Sequence, residues 1–499
     1  RGLKTVQYTL GVDIGTFETK AVLVDQNGSI IAQAQKGHKM LVPHPGWAEH
    51  RPNEDWWGDF CEVSQSVIST SKIDPTKILA VACSAIGPCM LPVDINGDPL
   101  MNGVLYGVDT RAHQEINDLN TEIGEDRIME MGGNALTSQS VGPKILWLKR
   151  NRPEIFEKTH KILTSTSFLM HRLTGQYVID HYTAANFTPL YDIHRQTWSD
   201  VLTQDIIPLD ALPDLRWSTD IVGHVTARAA RETGLPEGIP VTTGTIDAAA
   251  EAVSVGVADA GDTMCMYGST IFMISLTENR VKDPRLWYAP WLFKGQHASM
   301  AGLATSGTLT HWFREHFAKD LDLETSFGAL SQEAALSSPG ANGLVFLPYF
   351  SGERTPIHDP DAKGVIFGLR LDHTRGDVYR ALIEGIAFGT RHVVDTFVES
   401  GTKTNRFFAV GGGTKNELWL QTTSDITGVD QTVRQKTVGA SYGDAFLAAL
   451  AIGTVQPADI GVWNPTERIV ETESDTALER NYKIFKSLYL TTKELMKQI

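Results

Sequence analysis

Apolar residues cluster in short runs near the start of the chain. "YTLGV" (Tyr8 to Val12) reads as a strand, Gly15-Thr16 as a turn and "KAVLVD" (Lys20 to Asp25) as a second strand. "QNG" (Gln26 to Gly28) carries the Asn-Gly pair of a tight hairpin and leads into a third strand, "SIIAQA". Helical spacing then covers Arg51 to Thr70, followed by a buried strand, "KILAVACSAI" (Lys77 to Ile86). "PEIFEKTHKILTSTSFLMHRLTG" (Pro153 to Gly175) keeps helical spacing up to a Leu-Thr-Gly stop. In "GIPVTTGTIDAAAEAVSVG" (Gly238 to Gly256) a strand delivers Asp247 to the start of an alanine-rich helix.

Near residue 260 the pattern restarts. "GDTMCMYGSTIFMISL" (Gly261 to Leu276) is again strand, turn, strand. A helix follows over Gly376 to Phe397, then strand, triple glycine and helix over Arg406 to Gly428, then a small-residue helix over Gly439 to Gly453. Strands alternating with helices predict an α/β fold. Two strand–turn–strand openings about half a chain apart predict two domains of similar plan, without a short-period repeat.

Composition narrows the function. A chain of 499 residues exceeds one ordinary core, so two or more domains are expected. The formal net charge is −15, from 44 basic and 59 acidic residues. That balance argues against nonspecific nucleic-acid or anionic-membrane binding. Four cysteines, with no CxxC spacing, read as thiols in a reducing compartment. No apolar run approaches the ~20 residues of a membrane span, and no charged-then-apolar leader stands out, so the cytoplasm is the expected location. The first residue is Arg1 rather than Met, which points to a trimmed or altered start.

The chemistry concentrates in glycine turns and two aspartates. In "GVDIGTFETK" (Gly11 to Lys20) backbone amides of a tight turn, with Thr16, suit an anion, yet Asp13 stands at the mouth. No helix follows the glycines, which removes the Walker and dinucleotide readings. Gly268-Ser269-Thr270 occupies the matching place in the second half. Gly411-Gly412-Gly413-Thr414 lies between strand and helix, where a helix N-terminus and bare backbone accept a nucleotide. Each stretch taken alone also reads as an ordinary turn, and Asp247 as a helix cap. Together they suggest phosphoryl transfer: Asp13 holding Mg²⁺ directly or through water, Asp247 accepting the proton of an attacking hydroxyl, and the turns binding phosphate oxygens of ATP. The fifteen histidines show no metal-binding spacing, and His194 and His311 are expected at the surface or behind the site.

These stretches, taken in order, resemble the FGGY carbohydrate kinases of the actin-like ATPase superfamily. "PGWAEHRPNEDWW" (Pro45 to Trp57) is similar to the family's Pro-Gly-Trp-x-Glu loop, and Pro348 to Gly385 to its C-terminal signature. The resemblance implies two actin-like (ribonuclease-H-like) domains, 1–255 mainly for sugar and 256–499 mainly for ATP, with a cleft between them and closure on binding. It implies Asp247 as base, Asp13 on the metal side, and Gly268, Ser269, Thr270, Gly411, Gly412, Gly413 and Asn416 as nucleotide contacts beside Thr16. Homodimers are frequent in the family.

The chain resembles the xylulokinase-like branch, with a departure. Where that branch has Ser-Gly-Gln-Met-His-Gly, this chain has Ser84-Ala85-Ile86-Gly87-Pro88-Cys89, and of Trp-Asn-Asp-x-Arg it keeps only Asp109 and Arg111. Ser84, Asp109, Arg111 and Asp247 are thus the expected sugar contacts. The expected activity is ATP-dependent phosphorylation of a ketopentose such as xylulose or a related polyol. The alternatives are an actin-like ATPase binding module, or a kinase for a different polyol or a sugar acid.

Overall fold

A computed structural model describes residues 5–499; the start at Arg1 lies outside the described residues. The chain gathers into two compact units. The first takes Arg1–Ala258, Tyr288–Ala298 and Val438–Pro465; the second takes Asp259–Trp287, Ser299–Thr437 and Thr466–Ile499.

The first unit is built on a sheet whose central strands are nearly all apolar. Its order is Ile221–His224, Pro240–Thr242, Ile78–Ala85, Tyr8–Ile14, Glu18–Asp25, Ile30–Gly37. Tyr8–Ile14 runs parallel to Ile78–Ala85, which runs parallel to Pro240–Thr242; the outer pairings are antiparallel. A strand covered on both faces carries a continuous apolar run, and Leu10, Val12, Val81 and Cys83 are fully buried. Ile30–Gly37 is half exposed and alternates, as an edge strand facing water does.

The second unit repeats the plan. Ile271–Thr277 pairs antiparallel with Asp262–Tyr267, which runs parallel to Arg406–Val410, then Gln431–Arg434 in parallel and Thr466–Val470 antiparallel. Its longest helix, Arg375–Glu399, opens on a capping box: the Thr374 hydroxyl accepts from the Asp377 amide while the Asp377 carboxylate accepts from the Thr374 amide.

Most elements fall where the apolar pattern places them. Pro153 to Gly175 differs. It forms a short helix, Pro153–Lys158, a strand, Lys161–Leu163, and a helix, Ser165–Thr174. The strand exists because Lys161–Leu163 pairs with Leu91–Val93. Three residues are too few to carry a period, so the long-range pairing decides. Residues 51–70 also divide, with a π-helical turn over Pro52–Gly58 before the regular helix Asp59–Ser71. Among the described residues no helix is long and apolar enough to cross a membrane.

The helix Ala440–Ala451 crosses the first unit's sheet at very short range. A Cβ on Gly11 would stand 1.9 Å from the Ser441 carbonyl oxygen, and one on Gly443 would stand 1.9 Å from that of Ala250. Glycine at both positions therefore lets this helix lie directly on Tyr8–Ile14 and on Asp247–Val255. The Thr9 hydroxyl donates to the Ala445 carbonyl across the same contact, 2.9 Å. Gly11→Ala forces this crossing apart, and overpacking of this kind costs about 1–3 kcal/mol. Urea unfolding should show a lower midpoint with an unchanged slope.

Candidate active site

Parallel strands end together, and their carboxyl ends place side chains side by side. Asp13 lies opposite Ser84 in the parallel pairing, and Ser84 lies opposite Thr245. Two residues past Thr245, Asp247 opens the helix Asp247–Val255. Asp13, Ser84 and Asp247 thus meet at one edge of the sheet. Thr245 is fixed there by two hydrogen bonds: its hydroxyl donates to Asp180 Oδ2 at 2.8 Å, and its carbonyl accepts from the Thr166 hydroxyl at 3.0 Å.

Two further carboxyl groups join this edge. Glu251 follows Asp247 by one helical turn, and Asp444 enters from the Ala440–Ala451 helix. Asp444 is fully buried; its Oδ2 accepts from the Ser84 hydroxyl at 2.7 Å, and that hydroxyl also lies 3.1 Å from Asp13 Oδ1. Asp444 Oδ1 is buried without a hydrogen-bond partner. Burial and neighbouring negative charge both favour the protonated acid. Burial, then the charges of Asp247 and Glu251, hold Asp13 well above the usual carboxylate range. Burial raises Asp247 to about 6, against the amide of Ala248, which lowers it. Burial and the charge of Asp247 raise Glu251 to about 7. The cation acting on Asp13 and Glu251 is Lys20, opposite Asp13 across the first hairpin.

This donor set suits a hard divalent cation. Among the described residues no group of three or more His, Cys, Asp or Glu side chains is placed to hold a metal by itself. Mg²⁺ does not need one, because it keeps several waters and takes only one or two carboxylates alongside phosphate oxygens. The unpartnered Asp444 oxygen and the surplus of negative charge are the structural signs of that fit.

The expected sugar contacts are tightly held. Asp109 is fully buried; it accepts from the Ala48 amide at 2.7 Å and grips Arg111 through the Arg111 amide, Nε and Nη2. Arg111 Nη2 also reaches Glu49 at 2.7 Å, and the guanidinium lies 4.0 Å from the ring centre of Trp47 and 4.9 Å from that of Trp147. Arg111 Nη1 is buried without a partner, a donor still available to a ligand. Asp109 therefore serves first to orient Arg111. Glu49 and Trp47 anchor the same cluster, and Trp147 is buried beside it. Lys144 is buried beneath the loop and donates to the carbonyls of Leu105 and Tyr106. Gly87 stands with Pro88 where Met-His is expected, and a Cβ there would meet Ile246 at 3.2 Å.

The second unit holds a cavity of about 550 Å³. Gly268, Ser269, Gly412, Gly413 and Asn416, all expected at a nucleotide, line it. Gly411 and Thr270 are not in its wall but shape the turns that form it. Gly411 has φ +95°, and a Cβ there would lie 2.6 Å from the Tyr267 carbonyl oxygen; Gly268 N–H donates to the Thr270 carbonyl at 3.0 Å. Asn416 caps the helix Glu417–Thr427 by accepting from the Trp419 amide. Ser306 and Gly307 bind the Gly268 carbonyl, and the Thr308 hydroxyl binds that of Ser269. Sequence reasoning missed Thr310, Phe327 and Trp419 on this wall, and His311, placed at the surface or behind the site, lines it too. Thr16, expected to donate to phosphate, places its hydroxyl 3.0 Å from the Tyr106 phenol.

Models of the FGGY family of carbohydrate kinases match the chain over residues 8–254, the N-terminal domain, and 263–452, the C-terminal domain. The chain belongs to the FGGY family of carbohydrate kinases. It is therefore a phosphotransferase with an alcohol group as acceptor, built from two actin-like α/β units, and the family implies use of ATP. Its backbone superposes on the crystal structure of xylulose kinase from Rhodospirillum rubrum with a TM-score of 0.91 at 30% identity, covering 98% of this chain and 100% of that one. The xylulose kinase of Bacillus subtilis is 29% identical over 98% of both chains. A glycerol kinase of Corynebacterium efficiens is likewise 29% identical, over 92% of both.

The raised Glu251 carries a stability consequence. Its folded value of about 7 lies above the ordinary 4.5, so the folded chain retains a proton that the unfolded chain loses. Stability falls as pH rises from about 4.5 to about 7. Glu251→Gln removes that loss. It should stabilise the protein at pH 8 by roughly 1–3 kcal/mol and leave it unchanged at pH 4, as read by thermal melts at both pH values.

Proposed function

We propose that this kinase transfers the γ-phosphate of ATP to a hydroxyl of a ketopentose such as xylulose, with Asp247 as general base. The reading rests on one observation above others: a carboxyl group raised to about 6, at a helix start, close enough to the Asp13 carboxyl, two strands away on the same sheet, for its charge to act on it. A base of that strength is ionised at neutral pH and still takes a proton from an attacking alcohol. The Ala248 N–H donates to Asp247 Oδ1 at 2.8 Å and holds the carboxylate in place.

In this reading residues 1–255 bind mainly the sugar and 256–499 mainly the nucleotide. Arg111 offers Nη1 to a sugar oxygen, with Asp109 and Glu49 holding the guanidinium in place. Ser84 orients Asp13. Asp13 holds Mg²⁺ directly or through water, and the ion neutralises phosphate charge when bound. Thr16 and the Gly268–Thr270 turn bind phosphate oxygens, while Gly411 to Gly413 and Asn416 bound the nucleoside. The four free cysteines agree with a cytoplasmic location. Because Gly87-Pro88 replaces Met-His, a related polyol is the second substrate class: a pocket lacking two polar partners discriminates less through hydrogen bonds.

A coupled ATP-consumption screen over ketoses, polyols and sugar acids tests this. Turnover should depend on xylulose or a close relative. Asp247→Asn should lower kcat by about 10²–10⁴-fold. In the wild type, kcat/KM should fall as pH drops through about 6, because Asp247 is then protonated. ATP hydrolysis indifferent to every sugar, or full sugar-dependent turnover in Asp247→Asn, would overturn the assignment.

A further inference from the structure

The turn that follows Asp13 is held from behind by two histidines. His38 Nε2 lies 2.7 Å from the Gly15 carbonyl oxygen, His50 Nε2 lies 2.9 Å from that of Thr16, and the His38 amide donates to that of Phe17 at 2.8 Å. Three consecutive carbonyls are thus engaged by one small cluster. In a trans peptide the C=O and the next N–H point in opposite directions. Fixing the carbonyls of Gly15 and Thr16 toward the histidines turns the amides of Thr16 and Phe17 away from them.

The hydrogen-bond partners of the two rings point to different protonation states. His50 Nδ1 accepts from the Trp56 indole N–H at 3.1 Å, so its proton sits on Nε2 and the ring is neutral. His38 differs. Its Nδ1 lies 2.9 Å from Asp59 Oδ2, while its Nε2 faces the Gly15 carbonyl. With Asp59 as a carboxylate neither oxygen brings a proton, and His38 then donates from both nitrogens. Its side chain is 2% exposed and that of Asp59 is 4% exposed.

We infer that His38 is a positioning residue for phosphoryl transfer: as an imidazolium paired with Asp59 it holds the Gly15–Phe17 turn so that the Thr16 and Phe17 amides face the transferred phosphate. The inference rests on the kinase reading above. Several groups surround the ring. Asp59 comes from the helix Asp59–Ser71 and Asp55 from the turn before it, His50 meets the ring edge-on at 4.8 Å, and Lys36 of the edge strand reaches Asp59 at 3.8 Å. Lys36 is itself bonded to Glu62. Burial opposes the charge on His38, but the Asp59 and Gly15 bonds outweigh it and leave the ring above its ordinary value. Burial and the His38 charge push His50 down to about 4, which agrees with one charged and one neutral ring. As pH rises through the His38 value a proton leaves, one of the two bonds is lost, and the turn loosens.

Spectra of the full chain labelled with ¹⁵N-histidine test the charge, with the His38 signal identified by its loss in His38→Gln. Both ring nitrogens should carry protons at pH 7; a neutral ring would overturn the inference. Initial rates with ATP and D-xylulose test the role. His38→Gln puts one amide nitrogen and one acceptor oxygen in place of two donor nitrogens, so one of the two contacts loses its donor and kcat should fall roughly 10–100-fold. KM for xylulose should stay within about twofold, since the sugar contacts are untouched. The alkaline decline of wild-type kcat should be absent from this variant. Wild-type kcat together with an unchanged alkaline decline would overturn the role. If His38→Gln does not fold, Asp59→Asn serves instead: the His38 value should drop and the decline should move to lower pH, and an unmoved decline overturns the role. An inactive wild type counts against the kinase reading, while the ring-nitrogen measurement still decides the charge.

Discussion

Four carboxyl groups share one largely buried edge of a sheet, and the organisation of the first unit follows from that constraint. Like charges at short range in low dielectric repel strongly, so the group cannot be fully ionised without compensation. The protein compensates in part with protons, on the raised Asp13, Glu251 and Asp444. Ser84 contributes a single hydroxyl between two carboxyl groups. What remains is a deficit of positive charge, which the proposed magnesium–nucleotide complex would meet. Each raised carboxyl group costs folding free energy as it ionises, so the arrangement weighs against stability by itself.

Backbone proximity creates the cluster. Parallel pairing of Tyr8–Ile14 with Ile78–Ala85 brings Asp13 and Ser84 into one row. The crossing helix adds Asp444 only because Gly11 and Gly443 carry no side chain. The same economy of space appears in the second unit, where a Cβ on Gly413 would meet the Trp419 ring at 2.4 Å and the Tyr267 Cβ at 2.8 Å. Glycine there keeps the cavity wall thin. In both units, small residues set how closely backbone approaches backbone, and charged or hydroxylic side chains occupy the edge so created.

Much of this was legible in the chain. The two strand–turn–strand openings, Asp247 at its helix start and the triple glycine stood out because each is local, encoded by residues within one turn of each other. Glu251 was within reach, since Asp247 and Glu251 are four apart and share a helix face. Asp444 left a fainter signal, one acid in a helix otherwise of small and apolar residues. His38 and His50 left none, because they meet carbonyl oxygens of a distant turn, which no side-chain pattern records, and Asp59 acts on that turn only through His38. Asp109 and Arg111 were identified by their motif, but their mutual grip, with Asp109 committed to Arg111 and the Ala48 amide, emerged only from the packing.

The sequence by itself determined the α/β plan, its duplication and the residue types available for phosphate chemistry, because strand and helix periods and glycine turns are written over a few consecutive positions. Tertiary structure alone decided which of those residues meet. It set Asp444 against Ser84, placed His38 between Asp59 and the Gly15 carbonyl and His50 between Trp56 and the Thr16 carbonyl, and turned Thr16 toward Tyr106. Protonation and orientation depend on burial and on partners tens to hundreds of residues away, and those exist only once the chain has closed on itself.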